Sequence, residues 1–200
     1  MPRTPPSAHH SSLPRWWPLA LGAAAAGAAF ALTAAARVRV PRGITPVEGF
    51  DAQRYMGDWF ELARIEQYYE QGLVHTQAHY RLADDGSVLV TNRGYDPARQ
   101  RWREAHGRAR FLGDSRHAAL KVSFWGPFYG GYNVVALDPD YRWAMVMGSD
   151  VNALWILSRS PELPAPVRRM LLGQAKGLGV DIQQILWVPQ GSAFPAGQDR

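Results

Sequence analysis

The stretch "HAALKVSFWGPFYGGYNVVALDPDYRWAMVM", His117 to Met147, decides the fold. Its first arm alternates. Ala118, Leu120, Val122 and Phe124 share one side of an extended chain, and His117, Ala119, Lys121 and Ser123 share the other. One apolar and one polar face at period two is the pattern of a half-buried strand. "WGPFYGG" interrupts the pattern, "YNVVAL" resumes it, "DPDY" turns, and "YRWAMVM" runs on. Short turns between extended runs join consecutive antiparallel strands.

The same rhythm extends in both directions. "VHTQAHYRL" separates Thr76, Ala78, Tyr80 and Leu82 from His75, Gln77, His79 and Arg81. The "ADDGS" turn and "VLVTN" make it a hairpin. "REAHGRARF" sets Ala105, Gly107, Ala109 and Phe111 against Glu104, His106, Arg108 and Arg110. With "GDWFELARI" at the start and "ALWILSR" at the end, the set comes to eight strands. One segment breaks the rhythm. "APVRRMLLGQAKGLG" puts Val167, Met170, Leu171, Gln174 and Leu178 near one helical face, between prolines at 161, 164 and 166 and glycines at 177 and 179. A short "ILWV" follows.

Eight antiparallel strands with one apolar face must close or stack. The expected fold is all-β: an eight-stranded antiparallel up-and-down barrel, with one C-terminal α-helix packed outside and an N-terminal apolar segment before it. Closure removes both edges, and eight strands enclose room for one small ligand. Small inner residues (Ala78, Ala105, Gly107, Ala109, Ala118) point to retained volume rather than a solid core. Trp143, Met145 and Met147 form a second stripe. Alternation leaves its side open, and an outward stripe beneath the helix is the favoured reading.

In such a barrel successive turns fall at alternating ends. Gly57 then shares an end with the turns at 83–86, 113–116 and 138–141 and with Arg159, so Trp59 and Arg159 meet at one rim. A guanidinium over an indole gains about 0.5–2 kcal/mol, and its donors can satisfy rim carbonyls. This end is expected to be plugged, with Gly57 permitting an unusual backbone approach. The other end gathers Tyr68, Tyr69, Trp125, Phe128 and Tyr129 in loops, with glycines at 126, 130 and 131 to let it flex. Aromatics in loops suit a hydrophobic mouth.

Charge narrows the partners. The formal charge is +5, but residues 1–42 hold five arginines and no acid, leaving 17 Lys+Arg against 17 Asp+Glu in the body. A neutral body gives no reason to expect nucleic acid. Trp16 to Ala36 carries no charge, and at about 1.5 Å per residue it reaches roughly 30 Å, a bilayer core. The organisation reads as a basic leader at 1–15, a signal peptide or transmembrane anchor at 16–36, a linker at 37–49, the barrel at 50–190 and a disordered tail at 191–200. Cleavage after Ala36 and retention both stay open. The chain has no cysteine, which excludes disulfides, thiol chemistry and a lipid-modified cysteine.

"GDW", "ALWILSRSP" and the helix followed by "ILWV" resemble the lipocalins. "RGYDPARQRW" and "LKVSFWGPFYGGYNVVALDPDYRWAMV" look specifically like the bacterial lipocalins, relatives of apolipoprotein D, over about residues 46–190. The resemblance implies a barrel that binds a small hydrophobic ligand, and similarity to lipid-binding outer-membrane lipoproteins associated with membrane maintenance. Lipoprotein anchoring is the departure, for want of a cysteine. The family's Thr-Asp-Tyr motif survives only as "LDPDY", so its rim role falls to Asp138 or Tyr141. By resemblance the pocket positions are Tyr80, Phe124 and Trp155, and each lies on the face that alternation turns inward. Parity adds Asn92 and Val122, and the mouth adds Trp125, Phe128 and Tyr129.

No catalytic constellation is evident. His75 and His79 lie about 13 Å apart along one outward strand face, too far for one metal ion, and no carboxylate ligand is apparent beside them. Glu61 shares Trp59's parity and reads as a buried, hydrogen-bonded acid near the plug. The expectation is a non-enzymatic carrier of a fatty acid or lysophospholipid, without cofactor or metal, whose anionic head would lie near Arg99 or Arg101. It would sit in the cell envelope on the periplasmic side, anchored by the N-terminal segment or released from it. An interaction module using the aromatic mouth is the alternative, with a homodimer as one candidate, and a lipid-modifying enzyme is the weakest reading.

Overall fold

The computed structural model describes residues 38–191. The apolar segment 16–36 and nearly all of the proposed tail, 192–200, lie outside the described residues. Strands β1 (Gly57–Ile65), β2 (Val74–Leu82), β3 (Val88–Asp96), β4 (Arg101–Phe111), β5 (Ala119–Trp125), β6 (Phe128–Leu137), β7 (Trp143–Met147) and β8 (Leu154–Ser158) pair in chain order. Pairing of β1 with β2 through Gly57↔Tyr80 to Phe60↔Gln77 closes the expected eight-stranded antiparallel barrel. A one-turn helix α1 (Ala52–Tyr55) precedes it, begun by Asp51, whose carboxylate accepts from the Gln53 and Arg54 amides. The described part of the lead-in, 38–49, is irregular, but Val47 already bonds to the barrel, donating to the Val134 carbonyl and accepting from Ala118.

A bulge between Glu61 and Ala63 changes the partner of β1. Beyond it β1 leaves β2 and pairs with a ninth strand, β9 (Ile185–Trp187). The seam so opened is stitched by the following residues. Val188 N donates to Leu62 O, His75 N donates to Pro189 O, and Gln190 Nε2 reaches Glu61 O at 2.7 Å.

Two cores result. The inner one fills the lower barrel with Trp59, Tyr55, Phe50, Ala118, Leu120 and Val134. The outer one packs Met145, Met147, Leu154 and Ile156 beneath helix α2 (Ala165–Gly177) through Leu171 and Ala175. Strand seven therefore turns its methionines outward, under the helix. The helical face differs from the expected one: Met170 is 39% exposed and Gln174 faces solvent, while Val167, Leu171, Ala175 and Leu178 form the inward row. At about 100° per residue these four positions fall within an arc of about 80°, and Met170 lies about 60° outside it. Gly179 (φ +87°) ends α2, and Val180 N closes back on Ala175 O. Both cores, satellites included, are made from residues between Ile44 and Val188.

Candidate ligand cavity

Above the inner core the barrel encloses a cavity of about 740 Å³, open at one end. The other end is sealed by Arg159 over Trp59. Its guanidinium carbon stands 3.8 Å from the indole centroid. The same group donates to five backbone carbonyls, those of Asp58 (2.6 Å), Met56 (2.8 Å), Arg54 (3.0 Å), Tyr55 (3.1 Å) and Tyr141 (3.4 Å). Four of these carbonyls belong to the end of α1 and the entry to β1, and the fifth, that of Tyr141, to the turn before β7, so one planar five-donor group ties the two segments together. Trp59 is wholly buried and donates its Nε1–H to Tyr55 O at 2.9 Å. Gly57 has φ +93°, and a Cβ there would lie 3.4 Å from Arg159 Nη1. Of the two rim candidates, Tyr141 makes the contacts. Its hydroxyl accepts from Asp51 N at 2.8 Å and its carbonyl from Arg159. Asp138 stays within its own turn, accepting from Asp140 N, Arg142 N and the Arg142 guanidinium.

None of Gly57, Trp59, Tyr141 and Arg159 lines the cavity. Tyr80, Asn92, Val122, Phe124 and Trp155 form walls, and Trp125, Phe128 and Tyr129 belong to the mouth. Retained volume comes from only some of the small inner residues. Ala78 and Ala109 line the space, whereas Gly107 is filled by the Phe124 ring, 2.8 Å from where its Cβ would be, and Ala118 lies in the inner core away from the space. The mouth is less of a loop than its composition suggests. β5 and β6 run to Trp125 and Phe128, which pair directly, and Gly131 lies within β6. Its glycine admits the Gly148 backbone, 3.1 Å from a would-be Cβ, and its amide donates to Ser149 Oγ. Close approach, not flexing, explains that glycine. Tyr68 (94%), Trp125 (68%), Phe128 (63%) and Tyr69 (60%) stand exposed around the opening.

Polar groups sit on the floor and on one wall, where Tyr55, Tyr132, Arg64 and Glu70 join Tyr80, Trp155 and Glu61, which the sequence already singles out. On the floor Tyr55 and Tyr132 hydroxyls lie 2.8 Å apart, and Tyr132 Oη donates to Tyr80 Oη at 3.1 Å. Burial raises all three phenols, which stay neutral donors and acceptors. Tyr132 shares parity with Val134, a signal that was available. On the wall Glu61 accepts from Arg64 Nη1 (2.9 Å) and Thr76 Oγ1 (3.0 Å), and Glu70 from Trp155 Nε1 (3.1 Å). Glu61 thus turns toward the mouth side, away from the plug where parity had put it. Burial, then the neighbouring Glu61 charge, push Glu70 up to about 8, with Arg64 opposing. Glu61 is also raised by burial. Asn92 Oδ1 is buried with no hydrogen-bond partner among the described residues.

Arg99 and Arg101 are not part of the cavity wall, which corrects the placement of an anionic head there. Arg99 is held by Asp96 at 2.8 Å, and Arg101 is exposed at the start of β4. The histidines also differ from expectation. His79 does have a carboxylate beside it, Asp58, with Nδ1 2.7 Å from Oδ1. His75 Nδ1 accepts from Gly191 N at 2.7 Å and so holds the seam. Among the described residues no three His, Asp or Glu side chains gather as a metal site.

A family model described as a lipocalin-like domain matches residues 50–190. This chain is a lipocalin. It is 49% identical to the outer membrane lipoprotein Blc of Escherichia coli K12 over 167 residues, covering 84% of this chain and 94% of that protein. The Citrobacter freundii Blc is 47% identical over 170 residues, covering 85% and 96%. Among solved structures, insecticyanin from the tobacco hornworm Manduca sexta superposes with a TM-score of 0.61 at 19% identity, covering 76% of this chain and 87% of that one. The barrel is therefore shared by this lipocalin and proteins far from it in sequence.

Proposed function

We propose that this lipocalin stores or carries a single-chain lipid, of fatty acid or lysophospholipid type, in the cell envelope for membrane maintenance. The observation that carries this reading is the cavity, sealed by Arg159 and Trp59 at one end and open between aromatics at the other. Its volume falls in the usual range for small-molecule sites, about 300–1,000 Å³. Burying ten methylenes yields roughly 8 kcal/mol gross at ~0.8 kcal/mol each, which after ordering costs leaves micromolar binding or better. Glu61 and Glu70 are engaged with Arg64, Thr76 and Trp155, which supports binding rather than turnover.

Envelope location is supported by relatives named as outer membrane lipoproteins. Those names imply a lipid anchor, whereas these 200 residues contain no cysteine to carry one. In our reading the segment 16–36 takes that place, as a retained anchor or as a cleaved signal. A second reading has one observation behind it: the exposed Tyr68, Tyr69, Trp125 and Phe128 could seat a second copy or a membrane surface.

The test is organic extraction and mass spectrometry of protein beginning at Val38, which keeps both cores entire, purified without detergent. A co-purifying fatty acid or lysophospholipid is expected. An empty barrel whose tryptophan fluorescence ignores added lipid would sink the carrier reading, and self-association lost on replacing Trp125 and Phe128 would favour the second.

A further inference from the structure

Among the described residues that line the cavity, every ionisable side chain other than tyrosine is a carboxyl group, and the lysine at the mouth, Lys121, stands over the Tyr129 ring at 4.9 Å rather than in the lining. Glu70 closes the short turn Tyr68–Glu70 after β1, Glu61 lies on the same wall, and Asp150 comes from the loop between β7 and β8. None of the residues lining the cavity is a lysine or an arginine. The guanidinium beside them, Arg64, is wholly enclosed, and most of its donors are directed away from Glu70's carboxylate. Nη1 binds Glu61, and Nη2 lies 3.3 Å from Glu66 Oε1 and also serves the Glu70 and Leu73 carbonyls. Only Nε faces the Glu70 carboxylate, at 4.0 Å and without a hydrogen bond. Two wall carboxylates thus share one cation that does not reach the cavity.

Resting on the carrier reading above, the geometry points to a ligand whose polar end bears an ammonium group, seated against Glu70 at the mouth, and to discrimination against amphiphiles ending in a bare carboxylate. Charges interact strongly where water is displaced, so an anion entering beside these acids is repelled as they ionise, and an ammonium is attracted. The groups facing Glu70 are Glu61 and Arg64 from β1, Gln67 and Tyr69 from the adjoining turn, and Trp155 from β8. Their balance leaves Glu70 holding a proton at neutral pH, up to about 8. An entering ammonium takes that proton's place. Its binding therefore releases a proton and tightens as pH rises through about 8, while binding of a carboxylate weakens over the same range.

Matched dodecyl probes test this: dodecylamine, dodecanoic acid and dodecanol, each below its micelle concentration, titrated against protein beginning at Val38 and read by tryptophan fluorescence. Between pH 7 and pH 9 the amine should tighten by up to about tenfold and the acid weaken. At pH 9 the amine should bind at least tenfold better than the acid. Glu70→Gln, which keeps an oxygen for Trp155, should remove both pH slopes and narrow the amine-to-acid ratio. Asp150→Asn should narrow the ratio less, and near-UV circular dichroism reports whether each variant keeps its fold. Equal affinity for amine and acid at both pH values, or slopes that survive in a folded Glu70→Gln, overturns the inference while leaving the carrier reading intact. Failure of all three probes to bind overturns the carrier reading and the inference with it.

Discussion

The two ends of this barrel are built from similar side chains and behave oppositely. At the closed end an arginine, a tryptophan and tyrosines are locked together: Arg159 meets five carbonyls and one indole, and Trp59 has no exposed surface. At the mouth Trp125, Tyr68, Tyr69 and Phe128 are mostly in solvent, and the buried arginine, Arg64, serves the wall rather than the opening. What separates the ends is backbone supply. At the closed end Arg159 gathers the carbonyls of α1 directly over Trp59, whereas at the mouth Arg64 and Gln67 serve the loop carbonyls from the wall and leave the paired Trp125–Phe128 end uncovered. Aromatics packed against the first arrangement become core, and those beyond the second remain a surface.

The largest effect that would break this contrast is at Trp59. Trp59→Ala should cost about 3–5 kcal/mol of stability, the range for a large aromatic removed from a core, with little change in lipid affinity for the folded fraction. Trp155→Ala should do the reverse, since that ring lines the cavity and holds Glu70. Urea denaturation alongside lipid titration checks both, and equal losses on both measures would dissolve the distinction between plug and pocket. Next in size is pH. Glu70 holds its proton in the folded state up to about 8 but loses it near 4.3 when unfolded. Between those values the folded protein binds more protons, so stability falls as pH rises, by up to about 1.4 kcal/mol per unit, and levels off above. Glu70→Gln should flatten that stretch of the stability profile. At the plug again, Arg159→Lys keeps the charge but cannot reach five carbonyls, and should cost about 2 kcal/mol with no pH slope.

The barrel was legible because period two and turn spacing are local properties, and the pairing of Trp59 with Arg159 followed from counting turns between them. Tyr80, Asn92, Val122, Phe124 and Trp155 followed from parity and resemblance because side-chain direction is fixed by strand position, and Trp125, Phe128 and Tyr129 from counting turns to the open end. What could not be read depends on departures from regularity. The bulge at Glu61–Ala63 brings Arg64 to the same wall as Glu61, and no alternation pattern announces it. Glu70 lies in a turn, where parity says nothing about direction. The acidity of the wall has no local signature for that reason, whereas Arg99 and Arg101 stand out in the sequence and the fold keeps them off the cavity wall. The left-handed conformation of His75 and its bond to Gly191 likewise join residues with no shared local signal.

The smallest expected effect on stability sharpens the contrast most. Replacing both Trp125 and Phe128 by serine removes two large aromatic rings, yet both are more than half exposed in the native barrel. The change should therefore move stability by no more than about 0.5 kcal/mol, as for ordinary surface positions. Rates should respond instead. If the mouth aromatics ease a lipid between membrane and cavity, transfer from vesicles should slow several-fold while equilibrium affinity for a lipid presented in solution changes less. Stopped-flow transfer of a fluorescent lipid from donor vesicles, set beside an equilibrium titration, separates the two. A stability loss as large as that of Trp59→Ala would mean that these rings are core after all, and that the mouth is a second plug.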